Sequence, residues 1–237
     1  GTRFAKSSDD NATESPALRV TYDPTTIPAT KPGGCLVKKY VVSINSSSND
    51  VEEYSNGTVI LTSTDLEMVD DGNDQTIGLR CEDVNVPKSA EITSAYLQFM
   101  ADGSWTGTTN LSIKGDDVDN ADIFTSASNN VTGRTKTSAV NWPNIPDWSD
   151  GQTYNSPDIK TIVQAIVSRG GWNAGNDIAF NIDGSGLRRA YSYADNPARA
   201  ARLIIEEKSY SVTAVIPKKV RDELMVDCEE RSILCVA

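Results

Sequence analysis

Residues 92–101 read ITSAYLQFMA, and within them Ala95, Leu97 and Phe99 alternate with Ser94, Tyr96 and Gln98. A period of two belongs to a strand with one face on a core and the other toward water; a helix cannot satisfy it. The alternation returns in ARLIIEE through Ala201, Leu203 and Ile205, and further short apolar stretches stand at TVILTS from Thr58, QTIGLRC from Gln75, NLSIKG from Asn110 and IAFNI from Ile178. Clusters such as DDGND from Asp70 and NIDGSG from Asn181 separate them. Short strands broken by Gly, Asn and Asp turns predict an all-β fold, a jelly-roll-like β-sandwich.

One segment has a different period. Ile159, Ile162, Val163, Ile166 and Val167 recur at steps of three and four, as on an amphipathic helix. Ser156 suits an N-cap, Pro157 the first helical position, Asp158 the positive end of the dipole, and Gly170 a left-handed stop. The spacing predicts one short helix over about 157–169, covering an open face of the sandwich.

Length and charge narrow the function. The chain has 237 residues, enough for one sizeable sandwich, and 38% of them are hydrophobic. A net charge of -11 and a pI near 4.5 argue against nucleic acid and anionic lipid as partners, because both need clustered Lys and Arg. No apolar run approaches the about 20 residues of a membrane-spanning helix, so no membrane insertion is expected. The first residues lack the basic, apolar and small-residue sections of an export signal, so an exported form is expected to have lost its signal already. Asn-x-Ser/Thr sequons at Asn11, Asn45, Asn56, Asn110 and Asn130 point to an extracellular or cell-surface setting with glycosylation.

The chain opens with GTRFAKSSDDNA, and GLRRAYSYADNPA follows from Gly186. Gly1, Arg3, Ala5, Ser7 and Asn11 align with Gly186, Arg188, Ala190, Ser192 and Asn196, and each copy runs into a strand-like stretch, PALRVTYD or AARLIIEE. Residues 1–22 therefore read as the last two strands of a preceding or neighbouring repeat, residues 23–39 as a Pro/Gly-rich linker, and residues 40–207 as the β-sandwich module. Residues 208–237 form a C-terminal extension, read either as a solvated tail or as a docking segment using Leu224, Val226, Ile233 and Leu234. Copies of the chain itself or adjacent repeats are the expected partners, through donated strands or tandem contacts.

Candidate chemistry is sparse. There is no histidine, which removes the usual general base for a Ser or Cys nucleophile and the commonest zinc ligand. Carboxylates recur, as in GDDVDNAD with Asp116, Asp117, Asp119 and Asp122, and could gather a calcium ion or simply solvate acidic loops. No nucleophile motif or phosphate loop is present, and no enzyme is expected. Aromatic rings on loops can stack on sugars, and Trp142 and Trp148 in NWPNIPDWSDG are the best platform candidates; they also fit a cover over the core beside the helix. Four cysteines, Cys35, Cys81, Cys228 and Cys235, are disulfide candidates without metal-type spacing.

At IGLRCEDVNVPKSAEITSAYLQF, with SSNDVEEY, TSTDLEM, DNADIF, the helical SPDIKTIVQAIVSRGGWNAGND and the closing RRAYSY, residues 43–206 resemble the DNRLRE and carbohydrate-binding-module type of secreted β-sandwich repeat. The resemblance implies a non-catalytic jelly roll in a large surface protein, often in tandem, sometimes binding polysaccharide or calcium. It makes Glu53, Asp65, Glu67 and Asp119 the preferred metal ligands. It also sets Cys81 where the family has an aromatic, implying either a small buried hydrophobe or a disulfide to Cys35. The resulting expectation is a structural module of a repetitive surface protein or filament; the alternative is a calcium-stabilised carbohydrate-binding module using Trp142 and Trp148.

Overall fold

The computed structural model describes residues 35–70 and 72–210. The sequence copy at 1–22, the first part of the expected linker, and the extension beyond 210 lie outside the described residues, as do Asn11, Cys228 and Cys235. Twelve strands and one helix form an all-β, jelly-roll-like sandwich: β1 (Cys35–Ser43), β2 (Asp50–Tyr54), β3 (Val59–Ile60), β4 (Asp65–Met68), β5 (Gln75–Val84), β6 (Ile92–Met100), β7 (Asn110–Gly115), β8 (Val140–Trp142), β9 (Thr153–Asn155), α1 (Lys160–Val167), β10 (Asn176–Ser185), β11 (Arg188–Tyr191) and β12 (Arg202–Tyr210). The sheet orders are β1-β12-β6-β9, β3-β2-β5-β10-β7-β8 and β11-β4, all antiparallel.

The alternation read from the sequence has its physical cause in the main core. Ala95, Leu97 and Phe99 of β6 and Leu203 and Ile205 of β12 meet Ile77, Leu79 and Cys81 of β5 and Phe180 and Ile182 of β10 in one apolar cluster. A second cluster lies over the outer face of the six-stranded sheet, where Val51 and Ala179 pack with Ala121, Phe124 and Val131 of the long connection between β7 and β8. Arg134 ties that connection together. Its guanidinium donates to Asp116 at 2.8 Å and to the carbonyls of Asp122, Ile123 and Asn130, and lies 4.1 Å from the centre of the Phe124 ring.

The expected helix is present and shorter, eight residues with Ile162, Val163, Ile166 and Val167 buried. Gly115 permits its close approach to β7, since a Cβ there would stand 2.6 Å from Ile162 Cγ2. The expected caps are used only in part. Ile159 holds the N-cap position without a side-chain cap bond. Ser156 instead accepts the Leu97 N–H at 3.0 Å, while Asp158 accepts both the Ala95 N–H at 3.0 Å and, at the helix N-terminus as expected, the Lys160 N–H at 2.9 Å. At the other end Ser168 closes the helix in a right-handed conformation, and Gly170 is not left-handed.

The linker ends earlier than expected, because residues 35–39 belong to β1. That strand runs antiparallel to β12, with Tyr40 opposite Ile205 and Val42 opposite Leu203.

Candidate functional site

The sequence CLVKKYVVS is rich in β-branched residues and forms a nine-residue strand at the end of the four-stranded sheet. Its inward face is only half covered: Tyr40 and Val42 pack against the core while remaining partly exposed. The Tyr40 hydroxyl donates to Glu207 at 2.8 Å, Lys38 sits 4.5 Å from the Tyr40 ring centre, and burial is the main cause raising the Tyr40 pKa. On the outward face Val37 and Val41 are each 55% exposed. Next to Val41 in register, Ile204 is buried, and beyond it stands Tyr96. Among the described residues β1 is hydrogen-bonded to β12 alone, leaving its other long edge open. The opposite end of the sheet differs, for β9 and residues 156–159 run along β6, with Ser156 and Ile159 donating to the carbonyls of Leu97 and Ala95 at 2.8 and 2.7 Å.

The expected metal ligands do not come together as a calcium shell, and among the described residues no three acidic, Cys or His side chains are placed to hold a metal ion. Glu53 is buried on the outer face of β2, where it accepts the N–H groups of Val131 at 2.6 Å and Thr132 at 3.2 Å and the Thr132 hydroxyl. Asp65 pairs with Arg189 at 3.0 Å. Glu67 is hydrogen-bonded to Glu52, whose pKa is raised, chiefly by burial. Asp119, in the β7–β8 connection, is held by Arg169 at 2.8 Å. A polar cleft of about 200 Å³ is lined by Glu53, Tyr54, Asp74, Asn129, Thr132 and Asp183, and its Asp183 is paired to Lys114 at 2.5 Å.

The expected sugar platform is not on the surface. Trp142 and Trp148 are 7% and 1% exposed and pack in the core with Phe99, Trp142 stacked on its ring and Trp148 tilted to it, the two indole centres 6.4 Å apart. Trp148 also lies parallel to Tyr154 at 4.8 Å. The apolar area of two indoles outweighs the polar residues around them in NWPNIPDWSDG, so the segment turns inward.

Of the described sequons, Asn45 and Asn56 are exposed and Asn110 and Asn130 are partly buried. Asn45 spends its amide on Glu82 at 2.7 Å, while Asn110 and Asn130 accept backbone N–H groups of Asn144 and Thr125. Asn56 caps its own turn by accepting the Thr58 N–H. Cys81 is a free, buried thiol whose pKa burial pushes up to about 12, so the disulfide to Cys35 is not formed and the small-hydrophobe reading holds.

Two buried polar sites were not singled out in the sequence. Arg188 is fully buried in a socket of carbonyls, donating to Gly107 and Ile145 at 2.8 Å and Pro146 at 2.9 Å, and to the Thr109 hydroxyl at 2.9 Å. Burial lowers its pKa, and the carbonyl dipoles replace the lost water. Asp50 is the second: it lies in the sheet interior with its pKa pushed up to about 7, mainly by burial. The repeated Arg at positions 3 and 188 was the available signal for the first site; nothing in DVEEY marks the second.

No protein-family model matches the chain, and no curated protein does. One solved structure to which it is similar is a mutant VP2 protein of infectious bursal disease virus in T=1 particles, at 11% identity and a TM-score of 0.20, covering 92% of this chain and 53% of that one. The chain thus spans about half the length of that capsid protein, and so low a score carries no argument about fold or function.

Proposed function

We propose that this chain is a non-enzymatic, extracellular structural module of a repetitive surface protein or filament, in which neighbouring modules meet along β1. The observation that carries the reading is the open edge of that strand. A nine-residue strand whose outer N–H and C=O groups have no strand partner among the described residues, and which carries two exposed valines, is a template for a further strand unless something covers it. The acidic surface, the sequons and the resemblance to secreted sandwich repeats support the same setting. The carbohydrate-binding alternative loses its main support, since Trp142 and Trp148 present no ring face to a ligand.

Sedimentation of the full chain over a range of concentrations tests this reading. Association that the double variant Val37→Lys/Val41→Lys removes, with its melting temperature unchanged, is the expected result. A monomer at every concentration overturns assembly along β1. The same runs in chelator test calcium: unchanged mass and melting temperature remove it from the reading.

A further inference from the structure

Acidic residues outnumber basic ones in this chain by 33 to 22, so an arginine without a carboxylate partner is the exception. Arg80 pairs with Glu82 and Asp177, Arg134 with Asp116, and Arg169 with Asp117 and Asp119. Arg188 lies 3.6 Å from Asp147, and Arg189 pairs with Asp65 and Asp102. Among the described residues the arginines that remain, Arg199 and Arg202, stand in no ion pair, and both line the same small pocket. Gln98, Phe99, Met100 and Thr153 complete most of its wall. Its volume is about 60 Å³, and no acidic side chain lines it.

The fold brings these two guanidinium groups together and holds each in place. Arg202 opens β12 opposite Gln98 of β6, one residue before buried Leu203, so its exposed side chain points away from the core. It donates to the Ala198 carbonyl at 3.2 Å. The Arg199 guanidinium lies 4.7 Å from the centre of the Tyr191 ring, a contact through its face that leaves the N–H edges free. Its backbone N–H is tied to the Asn196 carbonyl at 2.9 Å. An arginine has only donors to offer, and two like charges in one pocket repel each other until an anion lies between them. We infer that this pocket binds a single oxyanionic group, a carboxylate or a sulfate, on a ligand from outside the chain, with Arg199 and Arg202 as its donors and the Thr153 hydroxyl beside them. Charge-assisted forks of this kind are how the other described arginines already hold carboxylates within the chain. The inference goes beyond the structural reading and does not require association along β1.

Titration of the full chain with sodium sulfate and, separately, sodium acetate at constant ionic strength tests it, read from the arginine Nε–H signals by NMR. Arg199 and Arg202 should shift along saturable curves, while Arg80, Arg134, Arg169, Arg188 and Arg189 stay in place as internal controls. Saturation by acetate names a carboxylate ligand and saturation by sulfate a tetrahedral one, and either sustains the site. Arg199→Gln and Arg202→Gln should each weaken the anion about tenfold, with the melting temperature in chloride unchanged. Should Arg202→Gln lose the fold, Arg199→Gln, which gives up an exposed ring contact, still decides through the Arg202 signal. Shifts shared by all the arginines, curves that never saturate, or saturation undiminished in the variants overturn the inference. Sedimentation is not read, so failure of assembly along β1 and failure of this inference are separate outcomes.

Discussion

The carboxylate of Asp50 accepts the backbone N–H of Tyr193 at 2.6 Å, tying β2 to the turn after β11, while its other oxygen has no partner among the described residues. Burial holds the pKa of this group near 7, against an ordinary value of 3.8. A raised carboxyl pKa means that the folded chain keeps a proton which the unfolded chain has already released. The stabilisation is therefore complete below pH 3.8 and is lost as pH rises through about 7, with a slope of at most about 1.4 kcal/mol per pH unit. Asp50→Asn keeps the Tyr193 bond and removes the titration. Melting curves at pH 5 and pH 8 should show a smaller fall for the variant than for the native chain, with a residual slope from Glu52, which shifts in the same direction. Parallel behaviour of the two would refute the assignment.

Arg188→Ala leaves the carbonyls of Gly107, Ile145 and Pro146 without their donor in a site closed to water. Removing one side of a buried charged network costs about 3–5 kcal/mol, and the urea midpoint should fall accordingly. Arg188→Lys should recover little, because an ammonium cannot reproduce the planar fork. Full recovery by Lys would show that the charge matters and the geometry does not.

Trp148 contributes through its ring and not through its nitrogen, since Nε1 has no partner among the described residues. Trp148→Phe keeps a ring for Tyr154 to stack on and should cost much less than Trp148→Ala, for which about 3–5 kcal/mol is expected. Chemical denaturation of both variants checks the difference; equal losses would mean that the indole makes a polar contact.

Cys81 should resist alkylation in the native chain at pH 8, where an ordinary thiol reacts, and should label fully in denaturant. Peptide mapping by mass spectrometry separates it from the other cysteines. Rapid native labelling would mean that the face of β5 carrying Cys81 opens to solvent.

What the sequence disclosed depended on whether a residue's environment is set by its neighbours in the chain. Ala95, Leu97 and Phe99 could be read because one strand face meets a uniformly apolar core. In β12 the same reasoning reached Leu203 and Ile205 and missed Ile204, whose burial comes from Val41 and Tyr96 on adjacent strands. β2 was legible only through the family resemblance, which gave Glu53 as a metal ligand; Asp50, Glu52 and Glu53 are instead buried by partners near Tyr193, Glu67 and Val131. Trp142 and Trp148 could be read either as a sugar platform or as a cover over the core, and they are buried; a Pro- and Asp-rich segment does not by itself reveal which way it folds. The helix stripe was correct and so was the place of Asp158, but Ser156 is drawn to the edge of β6, a strand far away in sequence, and Gly170 is not left-handed.

The position of β12 between β1 and β6 has a consequence for biosynthesis. Tyr40 is hydrogen-bonded to Glu207, 167 positions later, so the sheet that β1 enters cannot close until β12 has left the ribosome. During that interval β1 and β6 both wait with bare edges, and such long-range closure is slow. A growing chain of this design therefore gains from any holdase that shields those edges until β12 is threaded.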